Sequence, residues 1–141
     1  MVTTATQRAA AGQGHPPELS ETRQMYLRTV FELEQQGLVP LRARLVERLS
    51  VSAPAVADTV ARLVEDGLLE LRDDRSLHLT EAGRPLAEGV ERRFRLATRF
   101  LTDVLGLDDA AAADEACAWE HVLSDRVEGR LTAWLDARPP S

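Results

Sequence analysis

The sequence predicts a mainly α-helical protein carrying one small β-hairpin, and three observations predict it. Apolar residues recur at helical spacing in six separate stretches, most with a capping residue in front and glycine or proline behind. Between the third and fourth stretches, two short alternating runs flank a polar turn. The chain is 141 residues long and 44% apolar, enough for the core of one compact domain or two small ones.

Composition narrows the class further. No apolar run approaches the length that crosses a bilayer and no signal-peptide pattern opens the chain, so a cytoplasmic protein with no membrane partner is expected. One cysteine cannot form an internal disulfide, so the fold is not stapled and the thiol is buried, reactive or bound. All 17 basic residues are arginine, and the net charge is −6. That balance argues against a general nucleic-acid coat protein, which neutralises phosphate with many cations, but not against a sequence-specific binder with a locally basic face.

The elements follow in order. Residues 1–19, rich in Ala, Thr, Gln, Gly and Pro, read as a disordered tail that holds His15. Ser20 offers an N-cap, Met25, Leu27, Val30, Phe31 and Leu33 follow at helical spacing, and Gly37 stops a first helix over 21–36. Pro40 is expected to start a second helix that carries Arg42 to Leu49. Ser50-Val51-Ser52 is a turn, and Pro54 falls in the first turn of a third helix over 53–66 with Val56, Val60, Leu63 and Val64 on one face. Two short helices joined by a tight polar turn make a helix-turn-helix. Residues 68–72 and 76–80 alternate around Asp73-Asp74-Arg75, so a hairpin follows the second of these helices as a two-stranded wing. Double-stranded DNA is the partner such a module implies. His78 on the wing is expected to face solvent. Thr80-Glu81-Ala82-Gly83 opens a long helix over 80–105, and two shorter helices over 108–122 and 124–137 precede Pro139-Pro140. Asp108, Asp109, Asp114 and Glu115 gather near helix starts, where the macrodipole favours acids. Trp119 and Trp134 read as core or interface aromatics.

The sharpest chemical constellation is Cys117-Ala118-Trp119-Glu120-His121. On a helix Cys117 lies three and four residues from Glu120 and His121, so thiolate, carboxylate and imidazole share one face within a turn. That spacing suits a metal cluster; it also suits a buried thiol and a hydrogen-bonded imidazole beside a solvated carboxylate. A thiol-based redox signal through Cys117 is a further alternative, although no second cysteine is present to resolve it. Metalloprotease, phosphate-loop and nucleophile motifs are absent, so an enzyme is not expected.

The runs Met25-Tyr26-Leu27-Arg28-Thr29, Pro40-Leu41-Arg42-Ala43-Arg44, Thr59-Val60-Ala61-Arg62, Asp66-Gly67-Leu68, Leu79-Thr80, Gly83-Arg84, Glu115-Ala116-Cys117, Trp119-Glu120-His121-Val122 and Val127-Glu128 occur in one order. Together they closely resemble the diphtheria-toxin-repressor and iron-dependent-regulator family over about residues 20–135. The resemblance implies a winged helix-turn-helix DNA-binding domain over 20–79 followed by a helical metal-binding and dimerisation domain over 80–141, the two-domain form. It places the regulatory metal on Met25, Cys117, Glu120 and His121. The family's ancillary ligands, two His and a Glu, fall on Phe94, Thr98 and Ala113, so one metal per subunit is expected. Thioether and thiolate donors suit Fe(II), Co(II), Ni(II) or Zn(II) better than Mn(II), and Fe(II) is the ion expected.

For DNA, the resemblance places phosphate contacts on Arg42, Arg44, Ser52, Thr59 and Arg62, with Ala43 among them and Pro54 heading the reading helix. At base-reading positions the chain departs from the family: Asp58 and Val51 replace Gln, Ala55 and Ala57 replace hydroxyls, and Glu65 replaces Arg. An Asp accepts from the cytosine amine and an Ala can touch a thymine methyl, so a changed operator is expected. A homodimer on a near-palindromic operator follows, with metal occupancy linked to DNA affinity and repression of metal-homeostasis genes as the outcome. The alternative within the family is a member that keeps metal and has lost DNA recognition through Asp58 and Glu65.

Overall fold

Short polar side chains set most of the helix starts. The computed structural model describes residues 19–138, so the tail expected over 1–19, apart from Leu19, and the Pro139-Pro140 stop lie outside the described residues. Helix α1 spans Glu21–Gln35, and the Ser20 hydroxyl accepts from the Arg23 N–H at 3.2 Å. Ser52 does the same for Ala55 at the head of α3 (Ala53–Glu65), Asp108 for Ala111 at the head of α5 (Asp109–Trp119), and Ser124 for Val127 at the head of α6 (Asp125–Asp136). Each bond satisfies an N–H that the helix cannot pair, a contribution of about 1 kcal/mol. Helix α2, Arg42–Leu49, begins on Leu41 with no side-chain cap and ends on Ser50 in the left-handed region, φ 54°. Pro40, expected to start α2, stands before it. It is buried, and its carbonyl accepts from the Leu77 N–H at 2.8 Å, so it serves the hairpin instead.

Strands β1 (Leu69–Leu71) and β2 (Leu77–Leu79) pair antiparallel, with Leu69 opposite Leu79 and Leu71 opposite Leu77. The period of two puts Leu77 and Leu79 on the core side. Helix α4 runs Gly83–Asp103. It starts three residues later than expected because the Thr80 hydroxyl is used as a brace: it donates to the Gly67 carbonyl at 2.6 Å and accepts from the Gly83 N–H at 3.0 Å. Gly83 sits so close to the hairpin that a Cβ there would lie 2.0 Å from the Leu68 carbonyl oxygen.

The chain divides into two compact units, one over Ser20–Glu88 and the other from Gly89 onward. In the first, Leu27, Val30 and Leu33 of α1, Leu45 of α2, Val56, Val60 and Leu63 of α3, and Leu69, Leu77 and Leu79 of the hairpin form the core. The second has a core of small residues, Ala97, Ala112 and Ala116 with Leu101, against which Phe94, Leu107 and Trp119 pack. Among the described residues no helix is long and apolar enough to cross a membrane.

The wing turn is built from its own side chains. Ser76, almost fully buried, donates its backbone N–H to Asp74 at 3.0 Å, and its hydroxyl lies 2.7 Å from Nε2 of His78. His78 is therefore half-buried and engaged, not solvent-facing as the sequence suggested. The Ser76 hydroxyl and N–H bonds hold the Asp74 carboxyl below the ordinary 3.8. A carboxyl depressed in the folded state adds stability that is present above 3.8 and fades as pH falls through its folded value. Asp74→Asn should accordingly flatten the acid limb of a thermal stability profile below about pH 4 and leave the profile above pH 5 parallel to that of the parent; an unaltered acid limb would count against the turn assignment.

Candidate metal centre and nucleic-acid interface

Helix α5 ends at Trp119, short of the 122 expected, so Cys117 lies in its last turn while Glu120 and His121 fall just beyond it. Glu120 keeps helical dihedrals (φ −61°, ψ −20°) and bonds to the Ala116 carbonyl, whereas the His121 N–H turns to Ala118 at 3.3 Å. The tightening puts His121 Nε2 3.1 Å from a Glu120 carboxylate oxygen. Glu120 has no exposed surface and the His121 side chain is 4% exposed. Cys117 is half-buried. Among the described residues, no three His, Cys, Asp or Glu side chains stand together in metal-holding geometry. The donor chemistry still fits a divalent transition ion: a carboxylate taken wholly out of water requires compensating positive charge, and a thiol and an imidazole stand within a turn of it. Met25 lies on α1 in the first unit, half-buried, its carbonyl accepting from Thr29 at 2.7 Å.

One residue the sequence reading missed organises this turn. Arg93, 3% exposed on α4, donates Nε to the Glu120 carbonyl at 2.9 Å and places Nη1 3.8 Å from Glu128 of α6. Burial pulls its pKa down, and the Glu128 charge pushes back. Arg92 pairs with the same Glu128 from the outer side. A signal was present: Arg93 is three residues after Val90 and four before Ala97, a charge in the register of the buried face.

The positions on which the resemblance places the ancillary ligands are apolar or engaged. Phe94 packs on the alanine core, the Thr98 hydroxyl donates to the Phe94 carbonyl at 2.8 Å, and Ala113 has no donor. The aromatics cluster nearby: Phe100 stands 5.9 Å from Trp119 and 6.2 Å from Trp134 between ring centroids.

On the first unit, α2, the Ser50 turn, α3 and the hairpin form a helix-turn-helix with its wing. Val56, Val60 and Leu63 face the core, so the opposite face of α3 carries Pro54, Ala55, Asp58 and Arg62 into solvent, with Ala57 and Thr59 half-buried at its edges. Asp58 and Arg62 pair across one turn at 3.2 Å. The Ser52 hydroxyl is engaged as the cap of α3, a role the expected phosphate contact did not anticipate. On α2, Ala43 is exposed, Arg42 and Arg44 are half-buried, and Arg44 Nη1 is enclosed without an acceptor among the described residues.

A hairpin-winged helix-turn-helix, joined to a helical unit in which a buried carboxylate–imidazole pair follows directly on the helix that carries Cys117, defines a winged helix-turn-helix protein with a candidate metal centre. Comparison with known proteins makes this particular. The N-terminal DNA-binding domain of the iron dependent repressor matches residues 18–77, and its metal binding and dimerisation domain matches residues 80–138. The chain belongs to the iron-dependent-repressor family, whose members are DNA-binding repressors and not enzymes. It is 56% identical over 119 residues to the diphtheria toxin repressor of Corynebacterium glutamicum and 53% identical over 119 residues to the iron-dependent repressor IdeR of Mycobacterium tuberculosis, covering 84% of this chain and 52% of each relative. Among solved structures, a manganese-dependent transcriptional repressor complexed with manganese superposes with a TM-score of 0.74 at 32% identity, over 82% of this chain and 53% of that one. The chain thus spans about half the length of the curated relatives it matches.

Proposed function

We propose that this chain is a metal-dependent transcriptional repressor that binds DNA as a homodimer, with Fe(II) as the activating ion and metal-homeostasis genes as its targets. The observation that carries the reading is the Glu120 carboxylate, fully buried beside His121 Nε2 at the end of the helix that holds Cys117. Cys117, Glu120 and His121 would hold one ion per subunit, with Met25 as the fourth donor. When bound, the ion supplies the positive charge that stabilises the buried carboxylate and favours thiolate over thiol. The softness of the sulfur donors supports Fe(II) over Mn(II). Packing of Phe94 on the alanine core supports a single site per subunit. Arg42, Arg44 and Thr59 are assigned to phosphates, and the α3 face around Ala55, Ala57 and Asp58 to base edges. Exposed Val127 and Trp134 offer the second unit an apolar patch for the dimer, which in turn calls for a near-palindromic operator.

The test is calorimetry and fluorescence anisotropy on the reduced protein, under anaerobic conditions, with Fe(II), Co(II), Ni(II), Zn(II) and Mn(II), using duplexes selected from a random pool. Metal should tighten DNA binding by about 5- to 150-fold, the usual range of such coupling. Cys117→Ala should lose that gain while the weak metal-free binding persists. Absence of heat with every ion, or equal DNA affinity with and without metal, overturns the reading. Loss in the variant of a response to oxidant alone assigns Cys117 to redox sensing instead.

A further inference from the structure

The reading face of α3 holds an ion pair that the phosphate assignment of Arg62 leaves unexplained. Asp58 and Arg62 are exposed to 66% and 61%, with Arg62 Nε donating to Asp58 Oδ2 at 3.2 Å. Burial of Val56, Val60 and Leu63 fixes the rotation of the helix, so both side chains stand on its outer face with Glu65 beyond them. Arg62 is the single cation of α3, against the two carboxylates Asp58 and Glu65. Were Arg62 to leave for a phosphate, both carboxylates would approach a polyanion without a partner. Kept in place, it neutralises Asp58, engages one carboxylate oxygen and leaves Oδ1 to accept a hydrogen bond. The acid precedes the base by four residues, the favourable order for such a pair on a helix. The major-groove donor that matches a lone carboxylate oxygen is the exocyclic amine of cytosine.

Resting on the DNA-binding reading above, we infer that Arg62 is a positioning residue for Asp58 and not a phosphate contact, and that the pair reads a cytosine in each operator half-site. The two assignments of Arg62 differ in a measurable way. A neutral pair displaces no counterion, whereas each phosphate contact adds about 0.9 to the slope of log K against log salt.

Selection from random duplexes with the metal-loaded protein should enrich a cytosine at one position of each half-site. Asp58→Ala should lose that preference alone, a drop of about 5- to 150-fold in discrimination. Asp58→Ala frees Arg62, so its salt slope should steepen by about 0.9 per subunit, while the Asp58→Ala/Arg62→Ala double variant should keep the parental slope. Both side chains are exposed, so melting temperatures should stay within about 2 °C of the parent, since such pairs add little stability. The inference is overturned if Asp58→Ala changes neither the cytosine preference nor the slope, or if the double variant loses about 0.9 per subunit. An operator enriched without an Asp58-dependent cytosine sinks this pair and spares the regulator. No enrichment of any sequence by the parent sinks both.

Discussion

Gly83→Ala should destabilise the winged unit by about 3 kcal/mol or more, the upper end of what overpacking does, and lower Tm by roughly 10 °C or more. The Cβ it adds would meet the Leu68 carbonyl oxygen at 2.0 Å, with the Leu68 carbonyl carbon at 2.9 Å. Those are main-chain atoms, so no side chain can swing aside. Either the start of α4 or the exit of α3 must move, and Thr80 braces both through the Gly67 carbonyl and the Gly83 N–H. Gly129, on α6, is the matched control, because a Cβ there meets nothing within 4 Å. Gly129→Ala should stabilise by about 0.5–1 kcal/mol, from helix propensity alone. Circular dichroism melts of the two variants give the comparison, and a Gly83→Ala protein melting within about 2 °C of the parent would mean the close approach is not real.

Arg93→Ala carries the second large expectation, a loss of about 2–4 kcal/mol. The substitution strips the Glu120 carbonyl of a buried donor and removes one of two cations facing Glu128. Arg92 stays on Glu128, which keeps the figure below that for a carboxylate left alone. Arg93→Lys retains the charge without the planar fork and should fall between parent and alanine. Urea unfolding measures the series; a loss under about 0.5 kcal/mol for Arg93→Ala would remove the buried arginine from the account of the turn.

Much of the fold was legible because its signals are local. Ser20 caps the first helix as expected, and Gly37, Gly67 and Gly106, all at positive φ, directly follow the helix ends expected at 36, 66 and 105; Ser52, Asp108 and Ser124 cap three further helices whose starts fell within two residues of those expected. Where the reading slipped, a long-range contact had taken over a local device. Pro40 resembles a first-turn proline but spends its carbonyl on Leu77, 37 positions along the chain by the numbering. Thr80 resembles the first residue of a helix but braces the end of α3. His78 alternates with leucines and so looked outward, whereas Ser76 and Asp74 draw its ring into the turn. In the candidate site, the spacing of Cys117, Glu120 and His121 could be read directly, but not the end of α5 at Trp119, because the Arg93 bond to the Glu120 carbonyl comes from another helix. Asp58 and Arg62 stand four residues apart, yet the sequence reading gave them separate roles, a base edge and a phosphate, and their pairing emerged only from the structure.

Helix α2 has only eight residues, begins without a side-chain cap and ends on a left-handed serine. A segment that short does not hold a helix unaided in water, where about 12–15 residues are marginal. Its one fully buried side chain is Leu45. The element that presents Arg42 and Arg44 therefore borrows its order from its neighbours. Arg42 and Arg44 stand within one helical turn of Leu45, so any loosening of that leucine's seat blurs where their charges fall.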